Sequence, residues 1–259
     1  MKQFIFALFV VLVAMTVRAQ ENIINQADQA YTNEDYPQAL ELYIDAMRLQ
    51  GTSPQLYFNI GNTYYRLGDL GHAILYYKKA LKLDPTFKDA QTNLEFTQTK
   101  VIDRQDNQKS WSRAVTENII FIMTPNAWAV TGIIFFGLFL LALSQYFLGT
   151  TVGIRKLAFF GGLGALALTA LTTIAAFYTS GLTRDNKEAV VTVPVVQLST
   201  VPRLPADKSQ QAFTLHEGAI VEVLDTLSVP TDTVNPVWVE VKVNNEHRAW
   251  LSASTITRI

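Results

Sequence analysis

Ala39-Leu40-Glu41-Leu42-Tyr43-Ile44-Asp45-Ala46 and Ala73-Ile74-Leu75-Tyr76-Tyr77-Lys78-Lys79-Ala80 are two versions of one segment, set 34 residues apart. Each begins and ends on alanine and carries tyrosine at its fifth position. Gly61, Tyr64 and Gly68 precede the second copy and Pro85 follows it; Ala27 and Ala30 precede the first, and Gly51 stands where the second has Pro85. Apolar residues around these positions recur at three- and four-residue spacing, the period of one helix face. Small residues let paired helices approach, and the tyrosines fill the gaps between them. The pattern predicts helices over roughly 21–33, 36–49, 54–67 and 70–83. Gly68-Asp69 marks a turn, and a fifth, capping helix over about 87–104 follows Pro85.

A helical repeat of this period resembles the tetratricopeptide repeat family, here over residues 20–104. Such repeats bury their apolar faces by stacking, and about three or more are usually needed for stability. Two repeats and a cap are thin. Added support is therefore expected from the segment before the first apolar span, from a second copy of the chain, or from a partner. The resemblance implies a ligand groove lined by the first helix of each pair. Spacing puts Ile24, Asp28 and Tyr31 on one face, Phe58, Asn62 and Tyr65 on the equivalent face, and Thr92 and Phe96 in phase on the fifth helix. The alternative for all eight is ordinary half-exposed surface. Basic residues are few here, so a helix or extended segment with aromatic or aliphatic anchors is expected rather than a clamped carboxylate.

Hydrophobic residues make up 49% of the chain and charged residues 17%, against about 25% charged in ordinary soluble domains. The charge deficit concentrates in three apolar runs. The first, Phe4 to Val17 after Lys2, is too short for a span of about 20 residues and fits a secretory signal peptide over 1–19, cleaved after Ala19; an uncleaved anchor is the other reading. Residues 126–148 and 157–178 are long enough to cross a bilayer and hold no ionisable side chain, which argues for anchoring rather than transport. The loop 149–156 between them carries Arg155 and Lys156, so it is expected on the cytoplasmic side, with both flanking regions outside. Gly161, Gly164 and Ala165 supply a strip of small residues, read as the contact between the spans or as a dimer seam. Residues 105–125 form a linker in which Trp111, Val115, Ile119 and Ile122 fit a helix lying in the membrane interface, or an extension of the first span.

Residues 186–259 change character. Val190-Val191-Thr192-Val193, Ile220-Val221-Glu222-Val223 and Val237 to Val243 are β-branched, alternating runs separated by turn signals, with Asn244-Asn245 as a hairpin turn. Val239, Val241 and Val243 share a core face, which puts Trp238 on the opposite face, either as an exposed aromatic candidate or packed beneath the long loop. Leu215-His216-Glu217-Gly218, Trp238-Val239-Glu240-Val241, Ala249-Trp250-Leu251 and Ile256 to Ile259 together resemble the bacterial SH3 domain, with Ala249 where that family usually has glycine. The resemblance implies a small all-β barrel whose ligand side includes the long Ser199–Gln211 segment with Pro202 and Pro205, and a peptide or peptidoglycan ligand.

The order of signal peptide, repeats, two spans and terminal SH3-like domain resembles the BatE-like family encoded in bacterial aerotolerance operons. That resemblance implies membrane-anchored von Willebrand A-type partners. The fold expected is thus a multidomain membrane protein, with an all-α tetratricopeptide repeat domain, a two-helix transmembrane hairpin and an all-β SH3-like barrel. Both soluble domains are expected on the periplasmic side of the bacterial inner membrane. The function expected is a non-enzymatic scaffold, with a homodimer as one arrangement; a peptidoglycan-binding envelope sensor or tether is the alternative. Net charge is −1, so no nucleic-acid partner is expected. There is no cysteine, which removes disulfides, thiolate metal sites and cysteine nucleophiles. His72, His216 and His247 lack metal-ligand spacing, and no nucleophile elbow or phosphate-cradling loop occurs. No catalytic residue, cofactor or metal is expected.

Overall fold

The computed structural model describes residues 23–103, 120–184, 187–229, 236–243 and 247–259. The expected signal peptide, the interfacial helix as far as residue 119 and the Asn244-Asn245 turn lie outside them. The chain divides into two compact units, one from residues 1–106 and 186–259, the other from 107–185.

In the first unit, residues 23–32 form helix α1. It is followed by α2 (Tyr36–Gln50), α3 (Pro54–Leu67), α4 (Leu70–Leu83) and α5 (Lys88–Gln98). The repeat is written into the turns as well as the helices. Asp35 and Asp69, 34 residues apart, each cap the following helix by accepting the backbone N–H of Gln38 at 3.2 Å and of His72 at 2.9 Å. Such caps each contribute about 1 kcal/mol. Just before each cap the backbone turns left-handed, at Gly68 with φ 85 and at Glu34 with φ 64. Within the second pair, a Cβ on Gly61 would lie 2.8 Å from the Tyr77 ring, so only glycine permits this approach of α3 to α4. Ala27, Ala30, Ala39, Tyr43, Ala46, Leu56 and Ile60 form the apolar cluster of the first pair.

Seven strands follow, β1 (Glu188–Val191), β2 (Val195–Ser199), β3 (Gln211–His216), β4 (Ile220–Ser228), β5 (Val237–Val243), β6 (His247–Ser252) and β7 (Ile256–Arg258). They make one antiparallel sheet in the order β3-β2-β6-β5-β4-β1-β7. This is not the closed barrel expected. β3 pairs only with β2 and β7 only with β1, so the two edges do not meet. The sheet still curls, because residues from β1 to β6 gather into one core that includes Val191, Leu198, Leu215, Val221, Val239, Val241 and Leu251.

The sheet is not a free module. The paired residues Val190 and Ile220 point away from that core and join Ile74, Leu75 and Tyr77 of α4 and Leu94 of α5 in a second apolar cluster. Two glycines allow the contact. A Cβ on Gly71 would meet the Val191 carbonyl oxygen at 2.9 Å, and one on Gly218 would meet Val101 at 2.5 Å and Ile74 at 3.0 Å. Around this contact Lys78 pairs with Glu188, and Lys82 donates to the Ile259 carbonyl at 2.6 Å. Asp103 accepts from the His216 backbone N–H and sits 3.1 Å from its Nδ1. The support that two repeats need comes from the chain's own sheet, which was not among the three expected sources.

The second unit contains α6 (Pro125–Leu148) and α7 (Val152–Arg184). α7 begins earlier than the expected span, so the turn shrinks to residues 149–151. Arg155 then lies in the first turn of α7 and donates from Nε to the Gly149 carbonyl at 2.9 Å. The helices meet where Gly162 faces the Ala142 methyl, 3.2 Å from an added Cβ, and where Gly132 faces the Thr172 hydroxyl at 3.1 Å. Gly161 and Gly164, expected at this contact, have open space where a Cβ would be added. Successive residues on a helix point about 100° apart; Gly162 faces α6 and its neighbour cannot.

The turns supply a paired test. Replacing Glu34 with glycine should raise stability by up to about 1 kcal/mol, and Gly68→Ala should lower it by about 1 kcal/mol or more, because each changes the strain of a left-handed residue. Thermal unfolding of the detergent-solubilised chain should show opposite shifts; shifts of the same sign would contradict the equivalence of the two turns.

Candidate functional site

Of the eight groove positions, Asp28 and Asn62 take part in two sets of hydrogen bonds that repeat with the helices. In the first, the Tyr43 hydroxyl of α2 donates to the Asp28 carboxylate of α1. In the second, the Tyr77 hydroxyl of α4 donates to Asn62 Oδ1 of α3 at 2.8 Å, and Asn93 Nδ2 of α5 donates to the same oxygen at 2.8 Å. Asp28, Tyr43 and Asn59 each lie 34 residues before Asn62, Tyr77 and Asn93. In each set a tyrosine hydroxyl thus bonds a short polar side chain of the preceding helix, and in the second Asn62 ties α3 to both α4 and α5. Gln55 extends the row, donating from Nε2 to Asn59 Oδ1 at 2.9 Å.

These phenols sit in a low-dielectric environment. Burial, then the hydrogen bond to Asp28 and its negative charge, push the Tyr43 hydroxyl well above the usual tyrosine range. Burial does the same to Tyr77. Tyr76 is raised from 10.0 to about 12, by burial first and then by the neighbouring Tyr64 and Tyr57.

At the far end of the row Tyr65 and Phe96 lie with ring centroids 6.0 Å apart. Lys100 Nζ is 4.7 Å from the Phe96 centroid and 5.0 Å from that of Tyr65, and it donates to the Tyr65 hydroxyl. Phe96 remains 53% exposed. A cation over two aromatic faces within about 6 Å is held by the ring quadrupoles. The result is a preformed aromatic and cationic surface able to take an apolar or aromatic anchor from a partner.

Of the remaining positions Thr92 is exposed, and Ile24, Tyr31 and Phe58 are half-buried. Phe58 packs between Tyr77 and Phe87 at 6.0 and 5.1 Å. Ile24 and Tyr31 lie against the first helical cluster, and Tyr31 also contacts Tyr36 edge-on at 5.4 Å. The Thr92 hydroxyl returns to the Lys88 carbonyl of its own helix at 3.0 Å. Asn59, Asn93 and Lys100 belong with the groove set although the helical spacing rule passed over them. The 34-residue offset between Asn59 and Asn93 was the signal that could have found them.

On the sheet, Trp238 is only 1% exposed, which corrects the expectation of an exposed aromatic. It is absent from the main core cluster, so strand parity placed it on the opposite face as expected. That face is covered at Trp238. Alternation decides which side a residue faces, not whether a further layer covers that side. Pro202 and Pro205 are half-buried in the long segment between β2 and β3. The histidines have local roles: His72 pairs with Asp69, His216 with Asp103, and the His247 ring lies 5.9 Å from that of Phe213.

Two outcomes follow. Asn62→Ala leaves the half-buried Tyr77 hydroxyl without its acceptor and should cost about 1–3 kcal/mol; an unchanged thermal midpoint would remove the network's structural importance. Phenols with raised folded pKa values favour the folded state below their unfolded pKa and lose that advantage as pH rises. Stability should therefore fall from about pH 10 towards pH 12, with Tyr76→Phe flattening part of the decline, as read from thermal midpoints across that range.

A family model described as the tetratricopeptide repeat matches residues 54–87, the second repeat. Among solved structures, the chain is similar to the Sgt2 tetratricopeptide repeat domain from Aspergillus fumigatus, at 13% identity, covering 62% of this chain and 78% of that one, with a TM-score of 0.30. It is also similar to yeast Tom70, at 14% identity, covering 64% of this chain and 38% of that one, with a TM-score of 0.29. No curated protein matches. Tetratricopeptide repeats typically bind other proteins or peptides and are non-catalytic, so the repeat at residues 54–87 suggests a protein-interaction module.

Proposed function

We propose that the chain is a membrane-anchored, non-enzymatic scaffold whose repeat groove holds an extended or helical segment of another protein outside the cytoplasm. The observation that carries this reading is the repeated tyrosine–amide row ending in the open Tyr65–Phe96–Lys100 surface. The row is held by hydrogen bonds between helices, with Asn62 of α3 accepting from both α4 and α5. Such a polar row with an aromatic end can satisfy a peptide backbone while gripping one side chain.

Anchoring is supported by α6. Its 24 residues reach about 36 Å, beyond the roughly 30 Å of a hydrocarbon core, and only Gly132 is buried. Water would be a costly solvent for its outward Ile133, Ile134, Leu138 and Leu141. The shared cluster of Ile74, Val190 and Ile220 supports placing the repeats and the sheet in one compartment, and hence an even number of crossings between them. Arg155 and Lys156 favour a cytoplasmic turn.

The resemblance of the module order to the BatE-like family supports the reading of this scaffold as part of an aerotolerance-type inner-membrane complex with von Willebrand A-type membrane partners. A second copy packed along Gly161 and Gly164 belongs to the same proposal. The peptidoglycan-tether alternative loses its aromatic candidate, because Trp238 is buried.

A photo-crosslinking amino acid at Phe96 in native cells should capture another membrane protein, and one at exposed Leu49 should not. Absence of any adduct at Phe96 would defeat the groove reading. Because the chain has no cysteine, Thr150→Cys reports sidedness cleanly. It should resist a membrane-impermeant maleimide in intact spheroplasts, while Thr92→Cys reacts; the reverse labelling would overturn the orientation.

A further inference from the structure

We infer that the sheet steadies the last described helix of the repeat array, and that the α5 end of the groove exists only while the sheet is docked. α5 is a first helix in its own right. Its buried residues Ala90, Leu94 and Thr97 fall 34 positions after Leu56, Ile60 and Thr63, the buried face of α3. The correspondence extends to side-chain bonding: Thr63 returns its hydroxyl to the Asn59 carbonyl at 2.8 Å, and Thr97 returns its own to the Asn93 carbonyl at 2.7 Å.

The position that receives a second helix is altered. In the complete repeat, Gly61 accepts the Tyr77 ring of α4. The equivalent residue of α5 is Glu95, exposed and bulky, against which no helix could pack so closely. Beside Glu95 a cleft of about 260 Å³ opens, bounded by Gln98, Val101 and Asp103 on the helical side and by Gly218 and Ile220 on the sheet side. The sheet holds α5 through Leu94 and Val101, which join the cluster of Ile74, Val190 and Ile220, and through the Asp103–His216 contact.

An 11-residue helix is too short to persist in water without tertiary packing. Asn93, Phe96 and the adjoining Lys100 are placed by α5, so loss of docking should dissolve that end of the groove. The consequence for binding rests on the groove reading above. The stability of α5 does not, so the two can fail separately.

Hydrogen exchange on the whole chain in nanodiscs tests this. Ile220→Asn weakens the docking face and leaves the sheet's own core, to which Ile220 does not belong. It should speed exchange across residues 88–98 by roughly tenfold or more, with α2, β5 and β6 unchanged. In the background of Lys78→Cys and Glu188→Cys, bridging the two thiols with a bifunctional reagent should restore slow exchange at α5. Unaltered α5 exchange in Ile220→Asn, or fast exchange that bridging does not restore, would overturn the inference. If β5 and β6 also loosen, Gly218→Ala provides the same comparison, since its added methyl would meet Val101 and Ile74 rather than the sheet core; unchanged α5 exchange there would be equally decisive.

Discussion

The Val190–Ile220 pair of the sheet presses against Ile74 of α4, and the first unit depends on that contact. A fully buried aliphatic side chain contributes about 1.5–3 kcal/mol relative to its exposed state. The Lys78–Glu188 pair beside it has a largely exposed carboxylate and contributes about 1 kcal/mol at most. Apolar burial therefore drives docking, and the charged contacts set register. The glycines at 71 and 218 have the same steric logic as Gly61 within the repeat: each removes a side chain at a point where another element must come close.

This contact changes how the chain's parts relate. Segments separated in sequence by the apolar hairpin fold onto each other, so their cores are not independent. α4 takes part in both. Tyr77 completes the groove network through its hydroxyl and shares an apolar cluster with Ile74, Val190 and Ile220 through its ring, while Lys78 and Lys82 reach the sheet. A disturbance at either the groove or the sheet has a short, packed route to the other through a single helix.

Much of the helical architecture was legible because repetition is a redundant signal. The 34-residue offset fixes Ala39 against Ala73 and Tyr43 against Tyr77, and α3 and α4 begin and end where the pattern places them. The same offset carried the Asn59–Asn93 correspondence, which reading one helix face at a time passes over. Other features depend on what lies across from a residue rather than along the chain. Nothing local distinguishes Gly162, which meets α6, from Gly161, which does not. Alternation placed Trp238 on the correct side of its strand but could not reveal that this side is covered. Leu215-His216-Glu217-Gly218 was legible as part of the SH3-like pattern; that Gly218 also meets Val101 and Ile74 depends on partners more than a hundred residues away.

The open sheet also has two edge strands, and exposed edges invite pairing with a strand from another molecule. Here each end of the sheet is fastened to the helices. His216 of β3 gives its backbone N–H to Asp103, and the carbonyl of Ile259, next to β7, is taken by Lys82. A foreign strand adding at either place would have to displace a charged side chain already seated there. The fastening that joins sheet to helices thus also guards against polymerisation.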